Sequence, residues 1–179
     1  TLKTEGNYLV WNIACETVAQ AASAACSTLK KLLKDVKEDP DSTPTVAAGQ
    51  GGVTYQGGSE TVTYRRVQGG IGNKSSQQRV IIGSDGNVSI TNHNSNLNVS
   101  IDDGEHSQYY INNNRPDANI YEFDIPKWFD DMVNEYIVPQ AGARGGCNPK
   151  LTDVTTPGKC VEFPAPWVEW IEEYSTNGR

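Results

Sequence analysis

The order of elements in this chain predicts an α+β protein, with short strands, small helices inserted among them, and one longer helix in front. Three observations carry that expectation. From residue 61 onward, short runs of β-branched and aromatic residues alternate with turn signals. Apolar residues at three- and four-residue spacing are confined to a few windows, the longest at 11–37. Between these zones, residues 39–58 hold Pro40, Pro44 and five glycines, a composition that cannot build a core. The chain therefore divides into an N-terminal helical unit at 1–38, a flexible linker at 39–58 and a body at 59–179.

In the first unit Ile13, Val18, Ala21, Ala25, Leu29, Leu32 and Val36 fall on one helical face. Lys30, Lys31, Lys34 and Lys37 suit the negative end of the helix dipole. Asp35, Glu38 and Asp39 interrupt that basic run, so the helix reads as one that packs on the body or on an upstream partner. In the body, 61–67 (TVTYRRV) is a strand. Strands at 79–82 and 88–90 flank the turn Ser84-Asp85-Gly86-Asn87. Residues 97–101 alternate apolar and polar side chains, and Asp102 or Asp103 is placed to cap a short helix over 106–111. The next strand, 118–125, stops at Pro126. A helix at 127–136 turns Trp128, Phe129, Met132 and Val133 inward. A glycine-rich loop over 141–146, a strand at 159–163 and a closing helix marked by Trp167, Trp170 and Ile171 complete the order.

Of the 179 residues 15 are Lys or Arg and 22 are Asp or Glu, a net charge of −7, which argues against a generic electrostatic grip on nucleic acid. No apolar run reaches the roughly 18 residues of a membrane span, and the start lacks a signal-peptide pattern. Cys15 and Cys26 sit in one expected helix, roughly 16 Å apart at its rise per residue, too far to bond each other. Cys147 and Cys160 bracket a turn-rich loop that a disulfide can close. Neither pair has C-x-x-C spacing, and only His93 and His106 supply imidazoles, so no metal site is expected.

The sequence lacks a G-x-S-x-G elbow, a P-loop and H-E-x-x-H. Two constellations remain. In the first, His106 acts as the acid or base of a metal-independent ribonuclease, with Arg65, Arg66, Arg79 and Arg115 available for a scissile phosphate. In the second, strand alternation sets Arg65 opposite Tyr64 and Arg66, Ser100 opposite Leu97, Val99 and Ile101, and Glu162 opposite Val161 and Phe163. If these strands are neighbours, Arg65, Ser100 and Glu162 line one cleft.

YRRVQGG (64–70), LNVSI with HSQYY (97–110), IYEFDIPKWFDD (120–131), VPQ (138–140) and TPGKCVEFPAPWVEW (156–170) make residues 60–175 resemble the C-terminal toxin domains of Rhs and related polymorphic bacterial toxins. Within that group the order Arg, Ser, Glu is similar to the ADP-ribosyltransferase pattern of an early-strand Arg, a middle-strand Ser-Thr-Ser and a late Glu-x-Glu. The resemblance implies a split β-sheet core and transfer of ADP-ribose from NAD, as co-substrate, to a target macromolecule. It places Arg65 on the NAD phosphates, Ser100 in the nicotinamide-ribose cleft, and Tyr109 or Tyr110 against nicotinamide. Glu162 is the first choice for the catalytic glutamate and Glu135 the second. The chain departs from the pattern in two places: Ser100 stands between Val99 and Ile101, and neither glutamate has Glu or Gln two residues earlier. The resemblance further implies a secreted effector acting in the target-cell cytoplasm, a delivery protein upstream of the helix, and a cognate immunity protein.

Overall fold

The structure, a computed structural model, describes residues 45–48, 51–54, 60–70, 77–101, 103–139 and 147–179. The helix expected at 11–37 and the glycine-rich loop at 141–146 lie outside the described residues. Inside the segment read as a linker, β1 (Thr45–Ala48) and β2 (Gly51–Thr54) pair antiparallel, with Thr45 opposite Thr54 and Val46 opposite Val53. Those β-branched pairs are the strand signal that the surrounding glycines and prolines mask.

The body contains β3 (Thr61–Gly69), β4 (Val80–Ile82), β5 (Val88–Ile90), β6 (Leu97–Ser100), α1 (Glu105–Asn113), β7 (Ala118–Pro126), α2 (Lys127–Tyr136), β8 (Lys150–Thr152), β9 (Cys160–Phe163) and α3 (Ala165–Tyr174). Five strands form one sheet in the order β7-β3-β6-β9-β8, every neighbour antiparallel. Strands β4 and β5 make a separate hairpin, its turn closed by Gly83 N–H to Asn87 O at 2.8 Å. The α+β class thus holds for the described residues. Strand β8 is an addition to the expected set: three residues ending a loop carry too little pattern to be seen in sequence.

Alternation along the strands gives the sheet two unlike faces. One is apolar, with Tyr64 opposite Phe123, Leu97 opposite Phe163 and Val99 opposite Val161. All six are buried. Helix α2 seals this face with Phe129, Met132 and Val133, and α3 with Trp167, Val168, Trp170 and Ile171. Tyr64 brings a polar group into this layer, and its hydroxyl donates to Asp130 Oδ1 at 2.9 Å. Burial, and then the Asp130 carboxylate, push the Tyr64 phenol well above its ordinary pKa. Tyr64→Phe keeps the ring but removes a partner from a buried carboxylate. We expect a loss of about 1–3 kcal/mol, read as a lower urea midpoint at unchanged slope.

The other face is polar, and α1 lies over it. Its start differs from expectation: the N-cap is Gly104, at φ 104°, one residue beyond Asp103, while Asp102 lies outside the described residues. A Cβ on Gly104 would meet Arg65 Nε at 3.4 Å, so glycine permits both the left-handed turn and the close approach to β3.

Two buried side chains replace missing ladder bonds. Gln68 accepts from the N–H groups of Arg79 and Val80 and donates to Val80 O, tying β3 to β4. Arg79 donates to the carbonyls of Thr91, Asn92, Ser95 and Asn96, fixing the asparagine-rich turn that leads into β6. Of the four arginines read as phosphate ligands, Arg79 is therefore turned inward. The outer edge of β7 is covered by residues 176–179, through paired backbone bonds of Asp124 with Thr176 and Glu122 with Arg179.

Candidate functional site

A cleft of about 440 Å³ opens between α1 and the polar face of the sheet. Its floor follows from register: Arg65 on β3, Ser100 on β6, Cys160 on β9 and Thr152 on β8 stand opposite one another across four strands. Cross-strand partners share a face, so these four side chains form a row. The sequence expectation that Arg65 and Ser100 lie on neighbouring strands is met directly.

Glu162 stands opposite Asn98, two residues along β9 from Cys160, and therefore on that same face. Its carboxylate accepts from Asn96 Nδ2 at 2.8 Å and pairs with Lys150 Nζ at 3.0 Å, beside the cleft lining. Glu135 is elsewhere. It is an exposed residue of α2, the helix that covers the apolar face, so the sheet separates it from Arg65 and Ser100. Of the two tyrosines, Tyr110 lines the cleft and Tyr109 does not.

Helix α1 supplies the opposite wall. His106 and Tyr110, one turn apart, face the sheet with ring centroids 5.2 Å apart, and the Arg115 guanidinium lies 5.5 Å from the Tyr110 ring centre. Ser100 Oγ and His106 Nδ1 are hydrogen-bonded at 2.9 Å, and both residues are only 4% exposed. Asp153, in the loop between β8 and β9, brings Oδ2 to 3.8 Å from His106 Nε2. Burial raises the Tyr110 phenol pKa, and the Asp153 charge adds to it.

Arg66 enters the cleft from an unexpected direction. Alternation assigns it to the Tyr64 side, yet β3 and β6 are in register at one position only, Arg65 with Ser100. Where the ladder stops, Arg66 donates to the β6 carbonyl of Asn98 at 2.6 Å and its guanidinium lines the cleft. Burial, then the charges of Arg79 and Arg115, lower its pKa to about 10, so it stays cationic at neutral pH. A chain of net charge −7 thus gathers Arg65, Arg66 and Arg115 around one hollow, a local field that favours an anionic ligand.

Arg65 is aimed by Glu122, whose Oε1 receives its Nε–H at 2.6 Å while Arg179 Nε occupies Oε2 at 3.0 Å. The hydrogen bond from Arg65 is the chief cause holding the Glu122 carboxyl below its ordinary 4.5. A carboxyl depressed in the folded state contributes stability above the ordinary range and loses it as pH falls through the folded value. Because Glu122 is 30% exposed, solvent screening keeps the term under about 1 kcal/mol. The difference in unfolding free energy between wild type and Glu122→Gln should therefore narrow as pH falls below 4.5.

Sequence reasoning missed Asp153 and Cys160. Cys160 had a signal, since it precedes Glu162 by two and alternation puts both on one face. Asp153 had none, because its place depends on a loop residue at φ 51°. The bridge that the sequence left open between Cys147 and Cys160 is not formed: Cys160 is a buried thiol inside the sheet, and Cys147 is disulfide-bonded, though not to it. His93 pairs with Glu172 at 3.1 Å, outside the cleft lining. No helix among the described residues is long and apolar enough to cross a membrane. No protein-family model matches the chain, and no curated protein or solved structure is significantly similar to it.

Proposed function

We propose that this chain is an ADP-ribosyltransferase toxin domain that breaks the nicotinamide–ribose bond of NAD and transfers ADP-ribose to a macromolecule of a target cell. One observation carries the reading: β3, β6 and β9 are consecutive in the sheet and present Arg65, Ser100 and Glu162 on a single face. That is the order of residue types in the resemblance noted from sequence. In this reading the Arg65 guanidinium, steadied by Glu122, takes the anionic phosphates through paired N–H donors. Tyr110 offers a ring against nicotinamide. Glu162, oriented by Lys150 and Asn96, accepts the ribose 2′-hydroxyl and stabilises the positive charge that develops as the bond to nicotinamide breaks. The delivery protein, the effector location and an immunity protein seated over the cleft belong to the same proposal.

A second reading rests on a different observation. His106 shares the cleft with Arg65, Arg66 and Arg115, and Ser100 holds one of its ring nitrogens. That arrangement suits acid–base cleavage of a phosphodiester. One experiment separates the two. The purified chain is incubated with NAD and a cell lysate while nicotinamide release, label incorporation and RNA integrity are followed. The transferase reading expects nicotinamide release and labelling that Arg65→Ala abolishes. RNA decay in the absence of NAD, lost in His106→Ala, would replace it with the nuclease.

A further inference from the structure

We infer that His106, Asp153 and Cys160 form a three-ligand site for a zinc-class divalent cation in the floor of the cleft. Their imidazole nitrogen, carboxylate oxygen and thiol sulfur all lie within 4.8 Å of one another. The distance from His106 Nε2 to Asp153 Oδ2 is 3.8 Å, too long for a hydrogen bond. It is close to the spacing of about 3.5 Å between two ligand atoms around a tetrahedral zinc with bonds of about 2.0–2.3 Å. The shortage of imidazoles and the lack of C-x-x-C spacing hid this set, because its members come from a helix, a loop and a strand that only the fold brings together.

The donor chemistry selects the cation. One nitrogen, one oxygen and one thiolate suit a borderline-soft metal such as zinc or cobalt, and the sulfur disfavours magnesium and calcium. The outer partner is also present: Ser100 Oγ lies 2.9 Å from His106 Nδ1, leaving Nε2 for the metal. Arg66 and Arg115 line the same cleft and oppose a bare cation. A dication held by one thiolate and one carboxylate carries no net charge, however, so those guanidiniums meet a neutral unit. Coordination releases the Cys160 thiol proton to solvent. Three protein ligands leave a fourth position for water or another oxygen donor. The site uses neither Arg65 nor Glu162, and shares with the proposed function only Ser100, through its bond to His106.

The test is titration of the full chain with cobalt(II), followed by displacement with zinc. At one equivalent, wild type should develop a thiolate-to-cobalt charge-transfer band and tetrahedral d–d absorption, both removed by zinc. Cys160→Ser should lose the charge-transfer band. Asp153→Asn, at a residue 39% exposed on its side chain and so tolerant of change, should bind at least about tenfold more weakly, and Ser100→Ala about 10–100-fold more weakly. No thiolate band in wild type, a band that survives Cys160→Ser, or affinity unchanged in Asp153→Asn would overturn the inference.

Discussion

Glu162→Gln should cut nicotinamide release from NAD by about 10²–10³-fold, the size of effect seen when one electrostatic stabiliser of a transition state is removed. That range corresponds to about 3–4 kcal/mol of activation free energy. The change is nearly isosteric. An amide oxygen still accepts from Lys150 and Asn96, which hold the carboxylate at 3.0 and 2.8 Å, so the side chain keeps its place while its charge is lost. Stability should stay within about 0.5 kcal/mol of wild type, and the loss should fall on kcat with KM little changed. Glu135→Gln serves as the comparison. Its position on α2, across the sheet from Ser100, predicts wild-type release. The reverse pattern, with activity lost in Glu135→Gln and kept in Glu162→Gln, would move the catalytic role to a residue that this geometry separates from the cleft.

Trp167→Ala should be the most damaging core substitution, at about 3–5 kcal/mol. Its indole is fully buried and packs against Phe129, Trp170, Phe163 and Tyr136 at centroid distances of 5.8, 5.2, 6.3 and 6.4 Å. Indole Nε1–H also donates to Cys147 O at 2.7 Å, tying the helix to the loop before β8. Truncation leaves both a cavity and a carbonyl without its donor. Against a total stability of about 5–15 kcal/mol, that loss can leave the domain largely unfolded at physiological temperature. Trp167→Phe refills most of the cavity and loses only the hydrogen bond and part of the contact, so its urea midpoint should lie between alanine and wild type. A Trp167→Ala protein as stable as wild type would show that the cluster does not hold α3 to the sheet.

The polar face of the sheet was legible because alternation is a strong rule. Val99-Ser100-Ile101 and Val161-Glu162-Phe163 each place one polar side chain opposite apolar neighbours, Arg65 falls opposite Tyr64, and the three strands lie side by side. Helix α2 was legible from its four inward apolar residues and from the proline before it. What could not be read was how elements meet. The approach of α1 to Arg65 depends on the left-handed backbone of Gly104, and the reach of Arg66 into the cleft depends on where the β3–β6 ladder ends. The cap is Gly104 rather than Asp103 because a left-handed glycine turn starts the helix. Whether Cys147 and Cys160 bridge was open in the sequence, and the fold decides it by committing Cys160 to an inner strand between Ser100 and Thr152. Each miss concerns distance in space between segments far apart in sequence, which local pattern does not encode.

Calorimetric titration of Glu162→Gln protein with NAD tests the central claim most directly, because under the proposed role of Glu162 the variant should hold the dinucleotide without consuming it. We expect one molecule bound per chain, with binding abolished when Arg65→Ala is added. No heat of binding, or binding that is indifferent to Arg65, would contradict the assignment of this sheet face as the NAD site.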